Sequence, residues 1–224
     1  MGRAFSLAVG DALAPAERRF LLLTIAGTVL LLLALWLGAS LLLAALPLTG
    51  FHWLNIAIDV LGSAAALFVA WLVLPAMTIL ILGFFLDRII ASIEARHYPD
   101  LPEPRRIGIG ASLASALRLA LLGLALNLLA LPLYLFLPVA NVVVYLAING
   151  YLVAREYFEA VASRRLERAP LKAMWHRHRL RLTIAGALVA FLLSIPVVNL
   201  AAPIIGVAFM LHLFEPLRRD YFGR

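Results

Sequence analysis

From Phe20 to Leu46 the chain carries twenty-seven consecutive residues without a single charged or histidine side chain. A helix of that length is about 40 Å long, enough to cross a hydrocarbon core of roughly 30 Å with some tilt. Inside lipid every backbone N–H and C=O needs a partner within the protein, so a spanning segment of this kind reads as a helix. The run exceeds the apolar core of a signal peptide and ends without a convincing small-residue cleavage site, so it is expected to remain as the first membrane helix. A second apolar segment, 53–86, contains Asp59 as its one charge. Its length implies a projection past the bilayer into the cytoplasm, and Pro75 is expected to bend it. With 64% hydrophobic residues and a mean hydropathy of +1.01, the chain falls in the integral-membrane class. The fold class expected is all-α.

Charge orients these segments. The nineteen basic residues, of which only Lys172 is lysine, fall before Phe20, between Arg88 and Arg118, between Arg155 and Arg181, or after Glu215. The positive-inside rule makes those four regions cytoplasmic, with both termini on that side. The net charge of +7 is thereby explained as membrane-flanking arginine, and no nucleic-acid partner is expected. Phe51, His52 and Trp53 belong at the opposite interface.

Two later stretches share a Pro-Val-x-Asn core: Pro138-Val139-Ala140-Asn141 and Pro196-Val197-Val198-Asn199. Proline removes a helix donor and clashes with the preceding turn, so Pro132, Pro138, Pro196 and Pro203 are expected to break or bend their helices. Broken backbone at membrane depth must be buried in protein or line a wet cavity. The reading is two helical hairpins with legs of 113–131 and 139–153, then 180–195 and 200–214. Legs of about fifteen residues reach about 22 Å, short of the hydrocarbon core. Hairpins that penetrate only part-way satisfy this length, and a six-span bundle with short loops is the alternative. Charge does not separate the two, because either arrangement returns both ends to the cytoplasm.

The expected division is therefore one membrane domain over 1–224. An amphipathic segment (1–19) is followed by two transmembrane helices (20–86), then a cytoplasmic helix with a Pro-rich linker (87–112). The first hairpin (113–153), cytoplasmic helices (154–181), the second hairpin (182–214) and a basic tail (215–224) complete it. Residues 87–97 place Ile89, Ile90 and Ile93 on one face. Arg155 and Glu159 are spaced to pair on a helix, and Arg155 with Glu156 is also read as an ion pair or a gate. Met174, Trp175 and His178 share a helix face.

Several chemistries have no support in the residues. The chain has no cysteine, which removes disulfides, thiolate metal sites and a cysteine nucleophile. Gly108 and Gly110 follow no strand, so they are not a dinucleotide loop. His176 and His178 point to different faces, and His52 and His212 stand isolated in the sequence. No metal, no cofactor and no catalytic residue set is expected, and the chain does not read as an enzyme.

The ordered set of elements resembles the CysZ family of bacterial inner-membrane sulfate permeases, which has etoposide-induced relatives in eukaryotes. The resemblance rests on Pro15-Ala16-Glu17-Arg18-Arg19-Phe20 at the start of the first span and Glu94-Ala95-Arg96 at the end of the second. It rests also on Arg155-Glu156-Tyr157-Phe158-Glu159 with Arg164-Arg165, and on Ile195-Pro196-Val197-Val198-Asn199-Leu200 with Pro203. It implies two true transmembrane helices plus two hemi-penetrating hairpins, a homo-oligomer in the lipid bilayer, and sulfate uptake for cysteine biosynthesis. It also implies sulfate binding by an Arg pair and neighbouring backbone N–H groups. Arg18 and Arg19 match the pair, while Ala16 and Glu17 replace the Gly-apolar dipeptide of the family motif. Glu17 thus brings a carboxylate that can occupy the arginines itself. A helix start with arginine suits an oxyanion on physical grounds as well. Asn141 and Asn199 are read either as caps and cross-links at the broken helices or as pore-lining groups, because polar groups inside lipid need partners or water. A non-transport reading, a membrane scaffold whose Arg-rich face binds anionic lipid, is the alternative.

Overall fold

The computed structural model describes residues 1–45, 50, 52–105, 108–136, 141–195 and 198–223. Among them are seven helices and no strand: α1 (Gly2–Ala12), α2 (Pro15–Ala45), α3 (His52–His97), α4 (Ile109–Phe136), α5 (Asn141–Ala162), α6 (Arg168–Leu193) and α7 (Val198–Phe222). The protein is an all-α membrane protein. Helices α2, α4 and α7 each contain a stretch long and apolar enough to cross a bilayer. The turn at Pro47, the tips at Pro138 and Pro196, Arg106, and the side chains of His52, Trp53 and Asp59 lie outside what is described. Residues 18–85 form one compact unit, and residues 1–17 with 86–224 form another.

In the first unit, α2 is apolar on all sides and leaves Leu22, Leu30, Leu35 and Leu41 exposed. That pattern suits a helix solvated by lipid rather than by water. The hydroxyls of Thr24, Thr28 and Ser40 and the indole of Trp36 find partners within the unit. Thr24 and Thr28 donate their hydroxyls to the carbonyls of Phe20 and Thr24, at 2.9 and 2.8 Å. Trp36 Nε1 donates to the Ser63 carbonyl at 3.3 Å, and the Ser40 and Ser63 hydroxyls meet at 3.4 Å, joining α2 to α3. Such hydrogen bonds tie helices together where no hydrophobic contrast with the solvent exists. Helix α3 runs unbroken through Pro75.

The second unit is organised around α7. Residues Ala202 to Glu215 of this helix are buried on every side, so its hydropathy serves protein packing rather than lipid contact. Helix α5 lays one stripe on this core, Gly150, Ala154, Tyr157, Phe158, Val161 and Ala162, at the i, i+4, i+7 spacing of a helix face. Phe158 packs its ring against Trp175 of α6 and Phe214 of α7, with centroids 5.5 and 6.0 Å apart. Helices α5 and α6 approach closely because their contact is built from small residues. A Cβ added at Gly150 would stand 2.8 Å from the Ala187 backbone, and one at Gly186 would stand 2.6 Å from Ala154. Glycine at such a crossing lets two backbones touch.

Helix α4 packs on α5 and leaves Leu121, Leu124, Leu128, Leu129 and Phe136 exposed. The last turns of α3 bury Ile89, Ile90 and Ile93, as their spacing predicts. Met174 and Trp175 are likewise buried on α6. Helix α1 presents Ala4, Ala8, Asp11 and Ala12 to the protein and packs on α7, with Phe5 edge-on to Phe209 at 5.4 Å. The buried face is thus the alanine stripe and not the larger apolar residues that make the segment look amphipathic.

The chain leaves the helix within both proline-bearing stretches, between α4 and α5 and between α6 and α7. Pro132 sits inside α4 and Pro203 inside α7, and neither ends its helix. Bundled apolar helices tolerate proline because neighbouring groups re-satisfy the freed backbone. Pro170 falls in the first turn of α6, where an N–H is not needed.

Candidate functional site

Helix α2 begins at Pro15, so the N–H groups of Ala16, Glu17 and Arg18 belong to its unpaired first turn. Arg18 and Arg19 are exposed, and among the described residues neither makes an ion pair. Glu17 does not occupy them. Its carboxylate is fully buried and accepts two hydrogen bonds from Arg96 Nη2, at 2.9 and 3.2 Å. The expected competition between Glu17 and the arginine pair is therefore corrected: Arg96, at the end of α3, satisfies the carboxylate.

Arg96 belongs to a larger polar assembly that joins α1, α3 and α7. Its Nη1 donates to Asp11 Oδ1 at 2.9 Å. His97 Nε2 meets the same oxygen at 2.8 Å, and His212 Nε2 meets Asp11 Oδ2 at 2.8 Å. The Tyr98 hydroxyl lies 2.9 Å from His212 Nδ1. Burial pushes the Asp11 carboxyl up, but the hydrogen bonds from His212 and His97 outweigh it and hold the group below its ordinary value. The Glu17 hydrogen bonds raise Arg96 against an opposing burial effect. Burial, then the charge of Glu215, raises Tyr98. His212 is thus not isolated, contrary to its position in the sequence. Asp11 and His212 are 201 residues apart, and no local rule connects them.

The second polar feature is a cleft of about 310 Å³ between α4, α5 and α6. Arg118, Tyr151, Arg155, Glu159, Lys172 and His176 line it. Arg155 pairs with Glu159 at 2.5 Å, the i,i+4 pair that the sequence shows, and its guanidinium stacks over Trp175 at 4.8 Å. Ser115 donates to the other Glu159 oxygen. The Arg155–Glu156 pair is corrected, since Glu156 is exposed and unpaired among the described residues. Arg118 and Lys172 likewise have no acidic partner among those residues, so the cleft carries surplus positive charge. That charge attracts anions and raises their local concentration.

A third cluster joins α3 to the residues that follow α5. Glu94 is buried and receives Arg164 Nη2 at 3.3 Å and Arg165 Nε at 3.2 Å, and Arg164 also reaches Asp87 at 3.0 Å. Asn141 opens α5, and its Nδ2 donates to the Tyr134 carbonyl of α4 at 3.3 Å, a cross-link over the helix break. Its Oδ1 is buried without a partner among the described residues. Asn199 is half-buried in the first turn of α7, where its backbone N–H donates to Ile195 at 2.9 Å.

A family model described as "Sulfate transporter CysZ/Etoposide-induced protein 2.4" matches residues 4–203, most of the chain. The chain belongs to this family. It is therefore a membrane protein of sulfate-transporter type, as its residues suggest. The family match covers the arginine pair, the basic cleft and both asparagines. It stops short of His212, so the family pattern does not extend to all of the α1–α3–α7 assembly. No curated protein sequence matches the chain significantly.

Proposed function

We propose that the protein is an inner-membrane permease that admits sulfate, or a related oxyanion, for cysteine biosynthesis. The observation that carries this reading is the freedom of Arg18 and Arg19, exposed and without acidic partners among the described residues, while Glu17 is committed to Arg96. Arginine offers planar, multi-donor recognition of oxyanions, and the first turn of α2 adds unpaired N–H groups and the positive end of its dipole. In this mechanism the arginine pair captures and partly dehydrates the anion at the cytoplasmic side. The cleft around Arg118 and Lys172 offers a second basic surface. Asn141 and Asn199 line the path at the hairpin tips of a homo-oligomer, with Arg155 and Glu156 near its mouth. Both termini are cytoplasmic.

The test is radiolabelled sulfate flux into liposomes containing the purified protein. Wild type should give saturable flux, and Arg18→Ala/Arg19→Ala should lower it at least tenfold while remaining folded. Flux that survives the double variant removes the arginine pair from the mechanism. No flux above empty liposomes, from an intact preparation, rejects the permease and leaves the scaffold reading.

A further inference from the structure

Three side chains able to bind a metal converge at one point. Asp11 comes from α1, His97 is the last residue of α3, and His212 lies within α7. One ligand atom from each lies within 4.8 Å of the other two. Both imidazoles turn Nε2 toward the carboxylate, one to each oxygen. We infer that Asp11, His97 and His212 form a binding site for a divalent transition-metal ion of the zinc type, which ties α1 to α3 and α7.

Two neutral imidazoles and one carboxylate are a borderline nitrogen–oxygen donor set, which suits Zn²⁺ and its neighbours better than Ca²⁺ or Mg²⁺. Metal–ligand bonds of about 2.0–2.2 Å set tetrahedral ligand atoms about 3.3 Å apart. Side-chain shifts on the order of 1 Å bring the three atoms to that spacing. The groups around them fit the role. To bind a metal through Nε2, His212 must carry its proton on Nδ1, and the Tyr98 hydroxyl stands there at 2.9 Å. A hydroxyl accepts as readily as it donates, so Tyr98 supports the ring in either tautomer. Arg96 steadies the Asp11 carboxylate through Oδ1 and leaves Oδ2 for the ion once His212 releases it.

Access is one-sided. The Asp11 and His212 side chains are 4% and 1% exposed, while that of His97 is 26% exposed. The ion therefore enters past His97, where water completes its coordination. Without an ion the same residues form a hydrogen-bonded latch, and the experiment must separate the two states.

Untagged full-length protein in detergent is stripped with chelator and titrated with Co²⁺, followed by Zn²⁺. The expected result is one Co²⁺ per chain, visible d–d absorption of a nitrogen–oxygen site, and displacement by Zn²⁺. His97→Gln and Asp11→Asn should each weaken binding at least tenfold, while His178→Gln on α6 should not. Zn²⁺ should raise the apparent melting temperature of wild type and leave that of His97→Gln unmoved. His97 is partly exposed, which makes its replacement by glutamine the variant best placed to fold. A wild type with no saturable Co²⁺ spectrum overturns the inference and leaves the latch, whether or not any variant folds. Binding that survives both His97→Gln and Asp11→Asn shows an adventitious ion only and overturns it equally.

Discussion

Removing the Glu17 carboxylate should destabilise the protein without improving anion transport. Arg96 would keep Asp11 but lose its two Glu17 hydrogen bonds, a cost of about 1–2 kcal/mol for a charged contact open to water on one side. Glu17→Ala is expected to lower the apparent melting temperature in detergent and leave sulfate flux per folded protein within about twofold of wild type, since this is an effect of well under 1 kcal/mol on the arginine pair. A large gain in flux would show that Glu17 competes for Arg18 and Arg19 after all. Glu94 is the more sensitive position. Glu94→Ala leaves the buried Arg164 with only the exposed Asp87, and losing one partner of a buried pair costs about 3–5 kcal/mol. The variant should fail to run as a single species on size exclusion, whereas Glu167→Ala, in an exposed pair with Arg105, should be unaffected. The contrast between these pairs also marks what the residues alone disclose. Arg155–Glu159 is visible in the sequence because helix geometry makes i and i+4 neighbours. Glu94–Arg164 and Asp11–His212 are 70 and 201 residues apart, and only the packing of distant helices brings them together.

The crossing of α5 and α6 depends on the absence of side chains at two positions. Gly186→Val places a branched side chain where the backbone of Gly150 and the methyl of Ala154 already stand. Overpacking of this kind costs about 1–3 kcal/mol or more, and here both contacts include rigid backbone. Limited proteolysis in detergent should cut Gly186→Val faster than wild type, while Gly110→Ala, with open space around it, should match wild type. Uncharged runs disclosed the helices well, since a run without charge has few other ways to satisfy its backbone in lipid. They did not disclose partners. Helix α7 is as apolar as a lipid-facing span, yet protein covers it, and an apolar surface reads the same against either surrounding. Pro132 and Pro203 did not show by themselves where each helix ends, because a bundle can compensate for a missing donor and the local sequence does not show the compensation. The apparent amphipathicity of α1 likewise pointed to its large residues, whereas close packing on α7 selects alanine.

The lengths of the apolar segments bear on whether the hairpin of α4 and α5 crosses the bilayer. Helix α4 has 28 residues and is about 42 Å long, sufficient to cross. Helix α5 has 22, but its apolar part stops at Ala154, because Arg155, Glu156 and Glu159 follow. From Val142 to Ala154 it reaches about 20 Å, well short of a hydrocarbon core of roughly 30 Å. The shorter leg limits how far a hairpin can travel, since its charged end must stay in the aqueous or headgroup region. The tip should therefore stop inside the membrane, as the family resemblance implies. A chain without cysteine permits a direct test by single substitutions in intact cells. Gly50→Cys, between α2 and α3, should react with a membrane-impermeant maleimide from outside, and Ala173→Cys on α6 only after the cytoplasmic side is opened. Phe136→Cys, at the end of α4, should react from neither side with the impermeant reagent yet label with a lipid-soluble one. Reaction of Phe136→Cys from outside would show that the hairpin crosses completely and that the molecule is a six-span bundle. In that case the α5 leg must thin the bilayer or draw its charged end inward, and the Asn141 Oδ1, without a partner among the described residues, would face the far interface instead of a buried path.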